Sequence, residues 1–275
     1  MEEDWDNLLI LDACRFDLFE SIISEFQLDG ELVRRQSRGT GSVEFLEENF
    51  NDTPYPDTVY VTANPFVKQV LDNVFAHTEH VWLNEWDEKS GTITPEAMYN
   101  SVIDMNEQFP NKRLMAHFMQ PHHPFIGETR LEADPGLEWA RAKATGEESP
   151  DIKFVWEQLR NGRLSRDKVW RAYGDNLRCV LPTVRKLGEN LTGKTIVTSD
   201  HGNAFGASAP ILPTRVYGHG QRMRISELID IPWFTIPHDE RKEITSTSVS
   251  GKSSGINPDD EVINERLEAL GYKSK

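Results

Sequence analysis

One segment of this chain, KTIVTSDHGNAF at residues 194–205, constrains the fold more than any other. Its residues 195–198 (TIVT) are typical of a short buried strand, because β-branched side chains favour the pleated surface of a sheet. Asp200 and His201 follow just beyond the end of that strand. Open α/β sheets carry their ligand-binding residues at the carboxyl ends of the strands. The segment therefore predicts an α/β sheet with a functional site at this end of its strands.

Two other apolar runs end in the same kind of residue. Residues 7–11 (NLLIL) lead directly into Asp12, and residues 113–119 (RLMAHFM) are followed closely by His122 in the segment PHHP. A downstream glycine-bearing loop contributes His219. A lone Asp-His pair is more often structural than metal-binding. Three strand ends with carboxylate or imidazole groups, together with His219, favour a shared metal site.

Strand-like and helical patterns alternate along the chain, which predicts a mostly parallel central sheet flanked by helices on both faces. Further strands are expected at residues 58–62, 80–83 and 231–236, and helices at residues 16–26, 43–50, 65–75, from 94 onward and at 165–188. Pro232 in the last strand indicates an edge or strand-start position. The sequence of residues 127–150 predicts a loop or lid. We expect one domain over residues 1–237 and a polar tail over 238–275 with a short helix near 261–270.

The chain is strongly acidic. It has 45 acidic and 30 basic residues, which give a formal net charge of −15. A surface of that sign repels nucleic acid and anionic membranes, so we expect neither as a partner. It suits a high-salt cytoplasm, where screening removes the self-repulsion of the surface, and we therefore predict a halophilic protein.

The two cysteines, Cys14 and Cys179, are too few for a disulfide framework. Both occupy positions that favour small buried residues, which indicates a reducing compartment. The N-terminal sequence MEEDWDN lacks the basic and apolar regions of a signal peptide, and no apolar run is long enough to span a bilayer. We expect a soluble, cytoplasmic protein.

Two hydroxyl groups precede the helix predicted at residues 43–50, in the segment SRGTGSVEF. Ser42 lies immediately before the helix, and Thr40 lies two residues earlier. The free N–H groups and the dipole at a helix N-terminus favour an anionic group, so either hydroxyl could act on one. Ser is also a preferred N-cap residue, and capping alone would explain Ser42. The segment lacks the lysine of a P-loop and does not predict nucleotide binding.

Taken in order, these pieces resemble the alkaline phosphatase superfamily, especially its sulfatase-like and phosphoethanolamine-transferase-like branches, and in particular a sulfatase-like protein of the haloarchaeal type. The resemblance covers most of residues 5–237 and implies an alkaline-phosphatase-like sandwich fold. It implies a divalent metal site for Zn²⁺ or Mn²⁺, with room for a second metal. The ligands that it implies are Asp12, Ser42, Asp200, His201 and His219.

The resemblance also implies a mechanism. Ser42 would be the nucleophile and would form a covalent ester with the transferred group. Arg38 would stabilise the added negative charge, and His122 would protonate the leaving oxygen or hold a second metal. The expected function is a metal-dependent hydrolase or transferase of phosphate or sulfate esters. Its substrate would be a small molecule or a glycan- or lipid-linked ester.

Several features depart from the family pattern. Ser42 is not followed by the proline and arginine of formylglycine-type sulfatases, and the segment before His122 lacks the acid that two-metal phosphodiesterases carry. The alternative function is therefore a catalytically inactive relative that serves as a binding or scaffold protein. Two other reactive side chains, those of Cys14 and His117, are expected to be buried core residues.

Overall fold

The computed structural model describes residues 3–50, 53–71, 73–131, 155–209, 214–220, 222–246 and 260–270. Its strands are β1 (Asn7–Leu11), β2 (Glu31–Gln36), β3 (Tyr55–Thr62), β4 (Phe75–His80), β5 (Trp86–Asp87), β6 (Thr92–Ile93), β7 (Arg113–Phe118), β8 (Thr195–Thr198), β9 (Ala204–Ser208), β10 (Arg215–Gly218) and β11 (Asp230–Ile236). A seven-stranded sheet has the order β2-β11-β8-β1-β7-β3-β4. β11 runs antiparallel to both of its neighbours, while β8, β1, β7, β3 and β4 pair in parallel. The predicted mostly parallel α/β sheet is thus confirmed.

Helices cover both faces of this sheet. They are α1 (Phe16–Ile22), α2 (Ser42–Phe50), α3 (Phe66–Val70), α4 (Val81–Asn84), α5 (Pro95–Gln108), α6 (Val155–Arg160), α7 (Arg166–Asn190), α8 (Ser226–Ile229) and α9 (Asp260–Ala269). Neighbouring residues of a strand point to opposite faces. Phe234 of β11 packs against Phe19 of α1 with ring centroids 5.7 Å apart. The preceding residue, Trp233, faces the side of the sheet on which Phe50 of α2 lies.

Three local expectations were wrong. Residues 75–80 form β4, so the helix predicted to reach residue 75 ends at Val70, and α4 occupies most of the strand predicted at 80–83. The exposed strand β2 was not predicted, because ELVRRQ lacks an apolar alternation. β2 pairs outside β11, so Pro232 is one strand in from the edge; it is the third of the seven residues of β11, just before the pairing with β8 begins at Trp233. The carbonyl of Pro232 accepts a hydrogen bond from Thr198 Oγ1 at 2.8 Å.

The C-terminal part of the described chain packs against the sheet domain. The expected terminal helix is present as α9, and Ile263 and Leu267 are buried in the main core. Arg241 Nε donates to Asp6 at 2.5 Å, and Lys112 Nζ donates to the carbonyl of Thr245 at 2.8 Å. Most of the loop or lid expected at 127–150 lies outside the described residues, since these stop at 131 and resume at 155.

Two further expectations concern cysteines and membrane spans. Cys14 and Cys179 are both free thiols. Within the described part of the chain, no helix combines the length and the apolar character that a bilayer crossing requires.

The centre of the sheet determines where the site lies. β1 is flanked by β7 and β8, and all three run in the same direction. Asp12 follows β1, His122 follows β7 and Asp200 follows β8. Because the carboxyl ends of parallel strands meet on one side of a sheet, side chains from distant parts of the sequence converge there.

Candidate metal centre

Two buried carboxylates meet one hydroxyl group at the carboxyl ends of the central strands. Asp12 and Asp200 have no exposed surface. Ser42, the first residue of α2, donates from Oγ to Asp200 Oδ2 at 2.8 Å, and its Oγ lies 3.4 Å from Asp12 Oδ2. The structure therefore brings together three of the side chains that the sequence selected as ligands.

His201 directs one ring nitrogen at this group. Its Nε2 lies 3.6 Å from Asp12 Oδ1, 3.4 Å from Asp200 Oδ2 and 3.5 Å from Ser42 Oγ. Its Nδ1 lies 2.8 Å from the carbonyl oxygen of Gly202. A carbonyl only accepts hydrogen bonds, so Nδ1 carries the proton in the neutral ring and Nε2 carries the lone pair. This is the tautomer that a metal ligand needs.

His117 adds a second imidazole. It is buried on β7, and its Nε2 lies 3.6 Å from the Oδ2 atoms of both Asp12 and Asp200. Its Nδ1 is 2.8 Å from the hydroxyl of Tyr60, and its Nε2 makes no hydrogen bond with a described residue. One donor atom from each of Asp12, His117 and Asp200 lies within 4.8 Å of the other two. His117 is interior, as the sequence predicted, but it also faces the site.

This donor set fits a divalent cation. Burying carboxylates without compensating charge costs several kcal/mol per group, so two of them side by side favour a bound cation. Burial raises the pKa of Asp200, but the fields of His201 and His117 and the hydrogen bond from the backbone N–H of Ala13 outweigh it and hold that pKa well below its usual range. A divalent ion would favour the ionised carboxylates still more. Oxygen and imidazole donors of this kind suit Zn²⁺ or Mn²⁺.

Asn64 is a further site residue, and the sequence reasoning missed it. It is buried just after β3, and its Nδ2 donates to Asp12 Oδ2 at 2.9 Å and to Ser42 Oγ at 3.1 Å. Its Oδ1 accepts from the backbone N–H of Phe66 at 2.9 Å, which fixes the orientation of the amide. Asn64 therefore positions the Ser42 hydroxyl. The signal was present in the sequence, because Asn64 follows a strand end just as Asp12 does.

Two more predicted histidines lie together beside this cluster. His122 Nε2 is 3.2 Å from His219 Nε2, and the rings of His219 and His201 have centroids 4.5 Å apart. His122 Nδ1 lies 2.6 Å from the carbonyl oxygen of His123. Burial lowers the pKa of His122 well below its ordinary value and that of His219 to about 3. Both rings are therefore neutral at pH 7. Because Nδ1 of His122 faces a carbonyl oxygen and carries the proton, its Nε2 offers a lone pair to a second cation or to the N–H of His219.

Two other candidate residues from the sequence, Arg38 and Thr40, lie outside the cluster around Ser42. The guanidinium of Arg38 donates from Nη1 to the carbonyl of Glu48 at 3.4 Å. Glu48 is six residues beyond Ser42 on α2, a rise of about 9 Å along the helix axis. Thr40 Oγ1 lies 2.6 Å from Glu44 Oε2 and 2.8 Å from the carbonyl of Gly220. Of the two hydroxyls left open by the sequence, the geometry places Ser42 at the carboxylates and Thr40 against Glu44.

Comparisons with known proteins give structural neighbours only. The sequence matches no protein-family model and no curated protein sequence. The lipooligosaccharide phosphoethanolamine transferase EptA from Neisseria meningitidis is 14% identical with a TM-score of 0.56, over 86% of this chain and 47% of that protein. The C-terminal periplasmic domain of the phosphoethanolamine transferase EptC from Campylobacter jejuni is 13% identical with a TM-score of 0.51, over 83% and 77%. The chain has the phosphoethanolamine-transferase fold.

A third structure has a similar fold. The lipoteichoic acid synthase LtaP from Listeria monocytogenes is 12% identical with a TM-score of 0.50, and the match covers 86% of this chain and 66% of that protein. This chain spans less than half of the length of the Neisseria transferase. Identities of 12–14% establish the shared fold, and they confirm the fold expected for the phosphoethanolamine-transferase-like branch.

Proposed function

We propose that the chain is a metal-dependent hydrolase or transferase of phosphate or sulfate esters that acts through a covalent ester on Ser42. The observation that carries this proposal is the position of Ser42 Oγ, 2.8 Å from Asp200 Oδ2 and 3.4 Å from Asp12 Oδ2 at the N-terminus of α2. A nucleophile needs an activating group within hydrogen-bonding reach, and a helix N-terminus favours the anion that it attacks. Ser42 has both.

Asp12, Asp200, His201 and Ser42 would hold the metal, and His117, which faces both carboxylates, would be a further ligand. Bound there, Zn²⁺ or Mn²⁺ would lower the pKa of the Ser42 hydroxyl and withdraw charge from the ester oxygen. Asp200 orients Ser42, since it accepts the hydroxyl proton in a hydrogen bond. Its other oxygen, Oδ1, is fixed by the backbone N–H groups of Ala13 and His201, each at 2.9 Å.

The first chemical step would join Ser42 Oγ to phosphorus or sulfur and break the bond to the leaving oxygen. The hydroxyl proton would pass by way of Asp200 to water, and the leaving oxygen would take a proton from water and depart as an alcohol. Asn64 holds Oγ in place through Nδ2, and the same N–H group faces the negative charge that develops near Oγ. His122 and His219 lie on the neighbouring side, where their Nε2 atoms would hold a second metal, or His219 would contact an equatorial oxygen of the transferred group. Water resolves the Ser42 ester in a hydrolase, and an acceptor hydroxyl resolves it in a transferase.

The names of the structural neighbours support a phosphate ester over a sulfate ester. EptA is named as a lipooligosaccharide phosphoethanolamine transferase, and LtaP as a lipoteichoic acid synthase. We infer a lipid- or glycan-linked phosphate ester as the substrate class of this chain. Sulfate esters share the tetrahedral geometry of the transferred group, so they remain in the panel of substrates to be tested.

A substrate panel with defined metal content tests this function. Aryl phosphate monoesters, phosphate diesters and aryl sulfates would be assayed with Zn²⁺ or Mn²⁺, in low and high salt, for the wild type, Ser42→Ala and Thr40→Ala. We expect turnover of a phosphate ester by the wild type and by Thr40→Ala, and none by Ser42→Ala. A chain that binds no stoichiometric metal and turns over no ester would instead be the non-catalytic binding or scaffold protein.

A further inference from the structure

A buried tyrosine, Tyr60 on β3, contacts His117 at the ring nitrogen that does not face the carboxylates. The Tyr60 hydroxyl lies 2.8 Å from Nδ1 of His117, and the two rings are nearly parallel, with an angle of 7° between their planes. The side chain of Tyr60 has no exposed surface and packs against Phe50 and Phe75, with ring centroids 6.2 and 5.0 Å apart. This packing fixes the position of the hydroxyl group.

The other ring nitrogen of His117 lies at the distance from the carboxylates that a shared metal ion would give. Nε2 is 3.6 Å from Asp12 Oδ2 and 3.6 Å from Asp200 Oδ2. That distance is too long for a hydrogen bond. Two donor atoms that bind one Zn²⁺ at about 2.0–2.2 Å, with a tetrahedral angle between them, lie about 3.3–3.6 Å apart. Nε2 therefore lies where a ligand of an ion shared with both carboxylates would lie.

Metal binding through Nε2 determines where His117 carries its proton. A ligating nitrogen offers its lone pair, so the proton of the ring is on Nδ1 and needs an acceptor. The hydroxyl oxygen of Tyr60, 2.8 Å away, is in position to accept it. A hydroxyl group accepts hydrogen bonds as well as donating them, so Tyr60 can take this role. The carbonyl of Gly202 takes the same role for His201.

We propose that Tyr60 is the positioning residue that makes His117 a metal ligand, because its oxygen accepts the Nδ1–H bond and holds the Nε2 lone pair toward the carboxylates. This role rests on the proposed function, since it requires the metal centre. It assigns the control of metal affinity to a tyrosine of the aromatic core, on a strand that carries none of the other ligands. Removal of such a partner typically weakens metal binding about 10- to 100-fold.

A second tyrosine of β3 provides a matched control. Tyr55 packs against the same two phenylalanines as Tyr60, with ring centroids 6.0 and 5.9 Å away. Its hydroxyl donates to the backbone carbonyl of Asn49 at 3.2 Å. Tyr55→Phe and Tyr60→Phe thus each remove one oxygen atom from the same strand and the same aromatic cluster. Tyr60→Phe removes the oxygen that contacts His117.

Competition for Zn²⁺ with a chromophoric chelator measures this role without any turnover. We expect tight zinc binding by the wild type, a dissociation constant about 10- to 100-fold higher for Tyr60→Phe, and an unchanged one for Tyr55→Phe. His117→Gln should also weaken binding. Adding Tyr60→Phe to His117→Gln should weaken it no further, because Tyr60 acts through that ring. General damage to the core would instead add its own loss to that of His117→Gln.

Long-range ¹H–¹⁵N NMR of the zinc-loaded protein, with His117→Gln for assignment, locates the proton directly. We expect it on Nδ1 of His117. The proposal is overturned if the proton is on Nε2, if Tyr60→Phe binds zinc as tightly as the wild type, if Tyr55→Phe loses as much affinity, or if the losses of Tyr60→Phe and His117→Gln add. All four results can occur in a wild type that binds zinc and cleaves an ester, so they leave the proposed function intact. A wild type that binds no zinc would overturn the proposed function and this role together.

Discussion

Replacing Asp200 with Asn removes one of two adjacent buried charges while keeping the shape of the side chain. The donor atoms of Asp12 and Asp200 lie within 4.8 Å of each other. Two unit charges at that separation repel by about 3.5 kcal/mol at an effective dielectric constant of about 20. The hydrogen bonds that Asp200 accepts would weaken by about 1–2 kcal/mol in total when the charge is lost. The fields of His201 and His117 offset the repulsion, since the pKa of Asp200 is held well below its usual range despite its burial. The loss of hydrogen bonding then remains, and we expect metal-free Asp200→Asn to be less stable than the metal-free wild type by about 1–2 kcal/mol.

Scanning calorimetry with and without metal measures this difference. For a chain of this size each kcal/mol corresponds to about 2–4 °C in the melting temperature, so the variant should melt about 2–8 °C lower in EDTA. Zn²⁺ at about 100 times its dissociation constant should stabilise the wild type by about 2.7 kcal/mol. Asp200→Asn should gain little from Zn²⁺, because it has lost a ligand. The stability difference between the two proteins should thus widen by about 2.7 kcal/mol between EDTA and Zn²⁺.

Asp6→Asn is the matched control. Asp6 is also a buried carboxylate, but it lies outside the metal cluster and accepts a hydrogen bond from Arg241 at 2.5 Å, a guanidinium that it shares with Asp4. Its replacement should cost about 2 kcal/mol with or without metal, because a paired charge is lost. The reasoning is refuted if Zn²⁺ widens the stability difference between the wild type and Asp200→Asn no more than the difference between the wild type and Asp6→Asn, or if the wild type melts at the same temperature in EDTA and in Zn²⁺.

Four other outcomes are expected. Ser42→Ala should abolish turnover at a cost of about 1 kcal/mol in stability, whereas Thr40→Ala should stay active; kinetics and thermal melting check both. Asn64→Ala should lower kcat about 100-fold with unchanged metal content, measured by elemental analysis beside turnover. Low ionic strength should lower the melting temperature, and 1 M KCl, where the Debye length is about 3 Å, should restore it; equal values would contradict the halophile prediction. Burial raises the pKa of Asp6, but the hydrogen bond from Arg241 outweighs this and lowers the pKa below 3.8. The Asp6–Arg241 pair therefore stabilises the fold above pH about 4, and this stabilisation is lost as the pH falls further. In an acid titration, the free energy of unfolding of Asp6→Asn should fall less steeply than that of the wild type.

The buried elements of the fold were predictable because their sequence patterns record burial. The runs at 7–11 and 195–198 are β1 and β8, whose residues are all buried. β2 was not predictable, because an exposed strand that pairs along one edge carries no apolar alternation. The edge position predicted for Pro232 was wrong for the same reason, since β2, which was not predicted, pairs outside β11.

The site was predictable where a ligand follows a strand end. Asp12, Asp200 and His201 were found by that rule, and the structure places them around Ser42. His117 lies inside an apolar strand, where sequence alone cannot distinguish a core histidine from one that faces a site. Its role depends on the register of β7, which pairs His117 with Ile10 and Thr62. Only the assembled sheet shows that its Nε2 faces two carboxylates.

Anomalous diffraction at the zinc edge, from crystals grown with Zn²⁺, tests the central claim most directly. We expect a peak within about 2.0–2.2 Å of oxygen or nitrogen donors from Asp12, Asp200 and His201, with Ser42 Oγ beside it. A second, weaker peak between His122 and His219 would be consistent with this arrangement. The absence of a peak at the two carboxylates, with zinc bound only at surface residues, would contradict the account.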